Sequence, residues 1–261
     1  MTDRERSAPK LYAETLGHFA VWRGDERLPD SVWSREKAVE LFQYYLTHHA
    51  RVTSKEQIAE DLWPGLDSEQ ADRDFKVAMN ALNDALEPDR PSRTNAVYLT
   101  RQGSSYGLNP EAPVELDFIT FEEGVVTASH TDDPGHAAEF YRGALELYRG
   151  EYLPDQTTHD WTATTRERLM SLYLTGSTQL ATLCSEAGNH VEAVLWCQRV
   201  IELDALWEGA YRLLMRSYLT QGNRPLAVKT YKQLEQKLTQ ELGLEPMNET
   251  KKVLQEALEE V

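Results

Sequence analysis

Between residues 34 and 48, apolar side chains fall at Ala38, Leu41, Phe42, Tyr45 and Leu46. Spacings of three and four predict a helix with one buried stripe, opened by Ser34 as its N-cap. A second, shorter helix is predicted over 54–63, with Thr53 or Ser54 as N-cap, Ile58 and Leu62 four apart, and Pro64-Gly65 as its stop. A third runs over 69–86 and is closed by Pro88. Strand patterns flank these helices. Residues 16–22 read as one strand, 23–26 as a turn, and Arg27-Leu28 as the start of a returning strand. Residues 96–100 and 105–108 read as two more, joined through Gln102-Gly103-Ser104. The predicted order is strand hairpin, three helices, strand hairpin. It ends at 108–113, where Pro110 and Pro113 interrupt any regular element.

After residue 113 no strand pattern is expected. Helical stripes run over 118–126, 137–148, 162–186, 191–203, 208–220, 225–242 and 249–258. This half also repeats itself. Gly188-Asn189 followed by Ala193 recurs as Gly222-Asn223 followed by Ala227, and Leu180-Ala181 aligns with Leu214-Met215 at the same offset of 34. Thirty-four is the tetratricopeptide period, in which each unit is a helix pair that buries its apolar face only by stacking on a neighbour. Two such pairs are clear, so the flanking helices are expected to act as caps. Tyr141, Tyr148, Tyr173, Trp196, Trp207, Tyr211, Tyr218 and Tyr231 lie at helical spacing and are assigned mostly to repeat core.

With 261 residues the chain suits one large domain or two ordinary ones. The expected fold class is mainly α: an N-terminal winged helix-turn-helix with short β-hairpins over 1–110, then an all-α, tetratricopeptide-like domain over 111–261. No run approaches the roughly 18 apolar residues of a membrane span, and residues 1–10 are polar, so no membrane association and a cytoplasmic location are expected. Cys184 and Cys197, with no paired spacing, suit a reducing compartment and read as small buried hydrophobes. The net charge is −16, the opposite of a simple nucleic-acid binder. The acidity is uneven, however. Residues 1–110 hold 14 basic and 18 acidic side chains, and 111–261 hold 13 and 25. Arg90, Arg93 and Arg101 form a basic island with no acid after Asp89. A polyanion is therefore expected to meet the first half.

In a winged helix-turn-helix the second helix of the pair enters the major groove and a basic hairpin lies along the backbone. On a wheel of the third helix, Ala71, Phe75, Ala78, Leu82, Ala85 and Leu86 fall on one side, the core side. Arg73, Lys76, Val77, Asn80, Asn83 and Asp84 fall opposite, with groups able to bond base edges or touch a thymine methyl. A solvated helix face has the same pattern, and Asp72 and Asp84 offset its two cations. In the hairpin, Arg93, Arg101, Gln102 and Ser104 suit close approach to phosphates. The run Gly103-Ser104-Ser105-Tyr106-Gly107 matches a hydrolase GxSxG, but that turn leads from strand to helix, and here Leu108-Asn109-Pro110 follows. It is assigned to the wing, and Arg23-Gly24-Asp25 to an inter-strand turn. Neither phosphate-cradling glycine motif occurs, and the seven histidines show no metal spacing. No metal, no cofactor and no enzymatic activity are expected.

Several segments resemble the Streptomyces antibiotic regulatory proteins and their relatives. They are Ala144-Leu145-Glu146-Leu147-Tyr148-Arg149-Gly150 with Tyr152-Leu153, Trp161 with Arg166-Glu167-Arg168-Leu169, Glu208-Gly209-Ala210-Tyr211-Arg212-Leu213-Leu214-Met215, and Glu241-Leu242-Gly243-Leu244-Glu245-Pro246. The resemblance implies a winged domain followed by a bacterial transcriptional activator domain and sequence-specific binding to double-stranded promoter DNA. It also implies homodimers or tandem copies on direct repeats, and contact with RNA polymerase. In relatives such a module is often joined to receiver or nucleotide-binding domains. This chain departs from the family in its third helix, where Asn80, Asn83 and Asp84 stand in place of several arginines. The functional expectation is a DNA-binding transcription activator. The alternative is a protein-interaction adaptor or sensor whose winged domain binds DNA weakly or not at all.

Overall fold

The computed structural model describes residues 8–91, 94–157 and 160–259. The strands are β1 (Leu11–Glu14), β2 (Ala20–Arg23), β3 (Glu26–Arg27), β4 (Thr53–Ser54), β5 (Leu99–Gln102), β6 (Ser105–Leu108) and β7 (Val114–Leu116). The helices are α1 (Glu36–Thr47), α2 (Lys55–Leu62), α3 (Ser68–Leu86), α4 (Asp117–Ser129), α5 (Pro134–Leu145), α6 (Asp160–Glu186), α7 (His190–Leu203), α8 (Glu208–Thr220), α9 (Arg224–Leu242) and α10 (Asn248–Glu259). The chain is mainly α, with a winged helix-turn-helix of short strands and three helices ahead of an all-α run of helix pairs. It forms two compact units. One is Met1–Thr120 with Leu147–Leu169, and the other is Phe121–Glu146 with Met170–Val261. These units interleave, so they are a different partition from the sequence modules 1–110 and 111–261.

In the first unit a four-stranded sheet runs in the order β3-β2-β1-β7. β1 pairs antiparallel with β2, Leu11 opposite Arg23, and parallel with β7, Leu11 opposite Val114. Four strand expectations need correction here. The strand expected at 16–22 starts only at Ala20, as β2, and Gly17 lies in the turn that follows β1, a strand at Leu11–Glu14 that the pattern did not predict. Residues 114–116 do form a strand. β4 was not anticipated. Each is too short for alternation to mark it, and β7 and β4 exist only through distant partners. The strand expected at 96–100 starts later, at Leu99.

Helix α1 begins after Arg35, which makes no side-chain cap, so Ser34 is not the cap expected. Its five stripe residues are all buried, and so are Glu40, Gln43 and Tyr44. The helix is enclosed on more than one side, and its polar groups find partners. The Tyr44 hydroxyl donates to Asp61 at 2.7 Å, and Gln156 Nε2 donates to Gln43 Oε1 at 2.8 Å. Asp117, 2% exposed, accepts from the backbone amides of Thr15 and Leu16 at 2.8 and 3.0 Å and from the Thr15 hydroxyl at 2.6 Å. Burial raises its pKa, and these hydrogen bonds oppose the rise. Returning chain over 147–169 completes the unit. A Cβ on Gly17 would lie 2.9 Å from the Arg149 carbonyl carbon, so only glycine allows this approach.

The second unit is built of helices joined by short turns, with no strand among its described residues. Its repeat is physical as well as textual. Gly188 and Gly222 take left-handed backbone with φ of 79° and 72°. The next residues, Asn189 and Asn223, donate their amides five residues back, to Cys184 and Tyr218, at 2.8 Å. Their side chains then cap α7 and α9 by accepting from the Glu192 and Leu226 amides. The aligned pairs Ala193 and Ala227, Leu180 and Leu214, and Ala181 and Met215 are all buried. Cys184 and Cys197 are buried and free, and burial pushes their thiols up to about 11 and about 12.

Candidate nucleic-acid interface

Two caps set the helix pair. Ser54 Oγ accepts from the Gln57 amide at 3.2 Å to open α2, and Asp67 accepts from Glu69 and Gln70 at 3.0 and 2.9 Å to open α3. Between them Trp63, Pro64, Gly65 and Leu66 make the turn. The buried residues of α3 are Ala71, Phe75, Ala78, Leu82, Ala85 and Leu86, the six assigned to the core by the helical wheel.

The opposite face is turned outward. Arg73, Lys76, Asn80 and Asp84 are exposed, and Val77 is 41% exposed. Asn83 differs, being half-buried with both ends of its amide in use. It donates to the Met79 carbonyl at 2.7 Å and accepts from Arg90 at 2.8 Å. Asn80 is thus the freer of the two amides.

The wing is the β5–β6 hairpin, and Gly103-Ser104-Ser105 runs from strand to strand rather than into a helix. Arg101, Gln102 and Ser104 are exposed at its tip. Arg93 lies outside the described residues. Arg101 Nε donates to the Gly103 carbonyl at 2.9 Å, and its guanidinium sits 5.4 Å above the Tyr106 ring. Tyr106 in turn meets Phe75 edge-on at 4.9 Å, which couples the wing to the buried face of α3.

β4 provides a second tie. Thr53 and Ser54 pair with Tyr106 and Ser105, and the Lys55 amide donates to the Ser104 carbonyl at 3.0 Å. The wing tip and the first turn of α2 are therefore held side by side. This brings forward Lys55, which the sequence reading missed. Its only signal was a cation directly after an N-cap. Lys55 is paired with Asp72, and Lys76 approaches the same carboxylate at 2.6 Å. Hydrogen bonds from Lys55 and then Lys76 hold Asp72 at about 2.

Alongside lies a groove of about 910 Å³ between α2 and the start of α3, with Glu56, Glu60 and Glu69 on its walls and Trp63 and Leu66 among its apolar lining. Its glutamates disfavour a polyanion there, and Lys55, Asp72 and Arg73 also line it. Among the described residues there is no grouping of three or more His, Cys, Asp or Glu able to hold a metal ion, and no helix long and apolar enough to cross a membrane.

Comparison with known proteins adds a family. The model described as the bacterial transcriptional activator domain matches residues 116–258. Regulatory protein AfsR of Streptomyces coelicolor is 24% identical over 245 residues, which make up 93% of this chain and 24% of AfsR. The chain thus spans about a quarter of the length of that curated relative. Among solved structures, Mycobacterium tuberculosis EmbR, in complex with a low-affinity phosphopeptide, aligns at a TM-score of 0.80 and 16% identity. The alignment covers 96% of this chain and 65% of the EmbR chain, a likeness of fold.

Proposed function

This chain belongs to the bacterial transcriptional activator domain family, and from that we propose that it is a transcription regulator that docks its winged helix-turn-helix on double-stranded promoter DNA. Arg73, Lys76, Val77 and Asn80 address the major groove, with Asn83 at the edge of that set. Arg93, Arg101, Gln102 and Ser104 address the phosphate backbone. The supporting observation is the exposed polar face of α3 beside a wing that β4 and Tyr106 brace against it. The helical repeats are assigned to a second copy of the chain, as a homodimer or tandem array on DNA, and to RNA polymerase. Their acidity keeps them off the duplex.

Gel shifts of Asn80→Ala and Arg101→Ala test the reading. Loss of Asn80 should relax preference at one base pair by about 1–3 kcal/mol. Loss of Arg101 should weaken all sequences alike and lower the salt slope by about 1. Two silent variants would place the contact surface elsewhere. The second reading, a protein-interaction adaptor, is favoured by one observation: Asp72 neutralises two of the few cations on this flank. It predicts no salt-dependent duplex binding at all.

A further inference from the structure

Asp72 lines the groove together with Arg73, Glu56, Glu60 and Glu69, and it pairs with Lys76 one turn further along α3. Its carboxylate is shared. Lys55 reaches it from the first turn of α2, and Lys76 reaches it from one turn further along α3. The two lysines differ in freedom: the Lys55 side chain is 30% exposed and that of Lys76 is 69% exposed. The Lys55 backbone is held further by the hydrogen bond from its amide to the Ser104 carbonyl in the wing tip. So one carboxylate satisfies both lysines. By contrast, Arg73 and Asn80 are exposed and make no hydrogen bond or ion pair with any described residue. Of the groups assigned to the major groove, Arg73 and Asn80 are free, while Lys76, like Lys55, is occupied.

We propose that Asp72 is a specificity-determining residue, holding Lys55 and Lys76 back from phosphates until base contacts by Arg73 and Asn80 have seated the duplex. The inference rests on the DNA-docking reading. Its physical basis is that phosphate contacts carry affinity without sequence information, whereas base-edge contacts carry the information. A lysine already paired releases little on meeting a phosphate at an arbitrary site. A closely seated duplex brings its phosphates near enough to compete with the carboxylate. Asp72 is held at about 2 and stays ionised throughout the working range, so the restraint does not switch with pH.

The test uses the full chain with two duplexes of equal length, one selected from a random pool by the wild-type protein and one of mixed sequence. Asp72→Asn keeps the shape and removes the charge. It should tighten the mixed duplex about tenfold at low salt and steepen its dependence of log K on log salt by 1 to 2, at about 0.9 per phosphate engaged. The selected duplex should gain less, so discrimination falls. Lys76→Gln should cost more in the Asp72→Asn background than in the wild type, reversing much of the gain, a coupling that a lost helix contact would not produce. An Asp72→Asn protein with wild-type affinities, or one that tightens both duplexes equally, overturns the role of Asp72 and leaves DNA docking intact. If no sequence is enriched and neither protein binds any duplex in a salt-dependent way, both fall together.

Discussion

The two units differ in the bonds that set their architecture. In the unit built from Phe121–Glu146 and Met170–Val261, the recurring bonds are local: Gly188-Asn189 and Gly222-Asn223 each end one helix and cap the next within a few residues. In the unit built from Met1–Thr120 and Leu147–Leu169 they are distant. Asp117 serves Thr15 and Leu16 across about a hundred positions, and Arg166 donates to the carbonyls of Tyr152 and Leu153 at 3.1 Å. Leu153 there has φ of 44°, unusual for a residue with a side chain. Local bonding permits repetition, because each helix pair carries its own caps. Distant bonding makes one cooperative piece that fails as a whole.

The contrast can be broken most forcefully at Asp117. Asp117→Ala leaves three buried amides, those of Thr15, Leu16 and Phe118, without this acceptor and should cost about 3 kcal/mol or more. Hydrogen exchange read residue by residue should show the loss across the Thr15 to Tyr45 region and leave Ala193 to Ala257 protected. Loss of protection throughout would mean that the two units do not differ in cooperativity.

A smaller effect is expected from Ala227→Leu, at a fully buried repeat position. Overpacking there should cost about 1–3 kcal/mol, confined by exchange to α8, α9 and α10. Acid gives the mildest probe. Burial lowers the pKa of His48 and His49, both in the first unit. Below their ordinary value of about 6.5 the unfolded chain then binds more protons than the folded one, so stability rises with pH through that window and falls on acidification. Urea midpoints at pH 7 and pH 5 should drop for the wild type and change less for the His48→Gln, His49→Gln double variant.

The same contrast explains what could be read in advance. Helix α8 was expected at 208–220 and occupies those residues, and the six core residues of α3 followed from spacing alone. Both rest on period and caps, which are sequence-local. β7, β4 and the pairing of Lys55 with Asp72 rest on partners far along the chain, and no window of neighbouring residues holds that information. The breadth of burial around α1 escaped for the same reason: Tyr44 and Gln43 have polar character that argues for solvent until Asp61 and Gln156 are placed beside them. In the candidate interface, exposure of Arg73, Lys76 and Asn80 followed from the wheel, whereas the engagement of Asn83 by Arg90 did not.

The parallel pairing of β1 with Val114–Leu116 bears on how this gene can be divided. A fragment ended at the two prolines would keep every residue proposed to touch DNA, yet strip one margin of its sheet and remove the acceptor for the Thr15 and Leu16 amides. Bared strand margins recruit neighbouring molecules. Such a fragment would trade solubility for simplicity, and the shortest useful excision extends past Asp117.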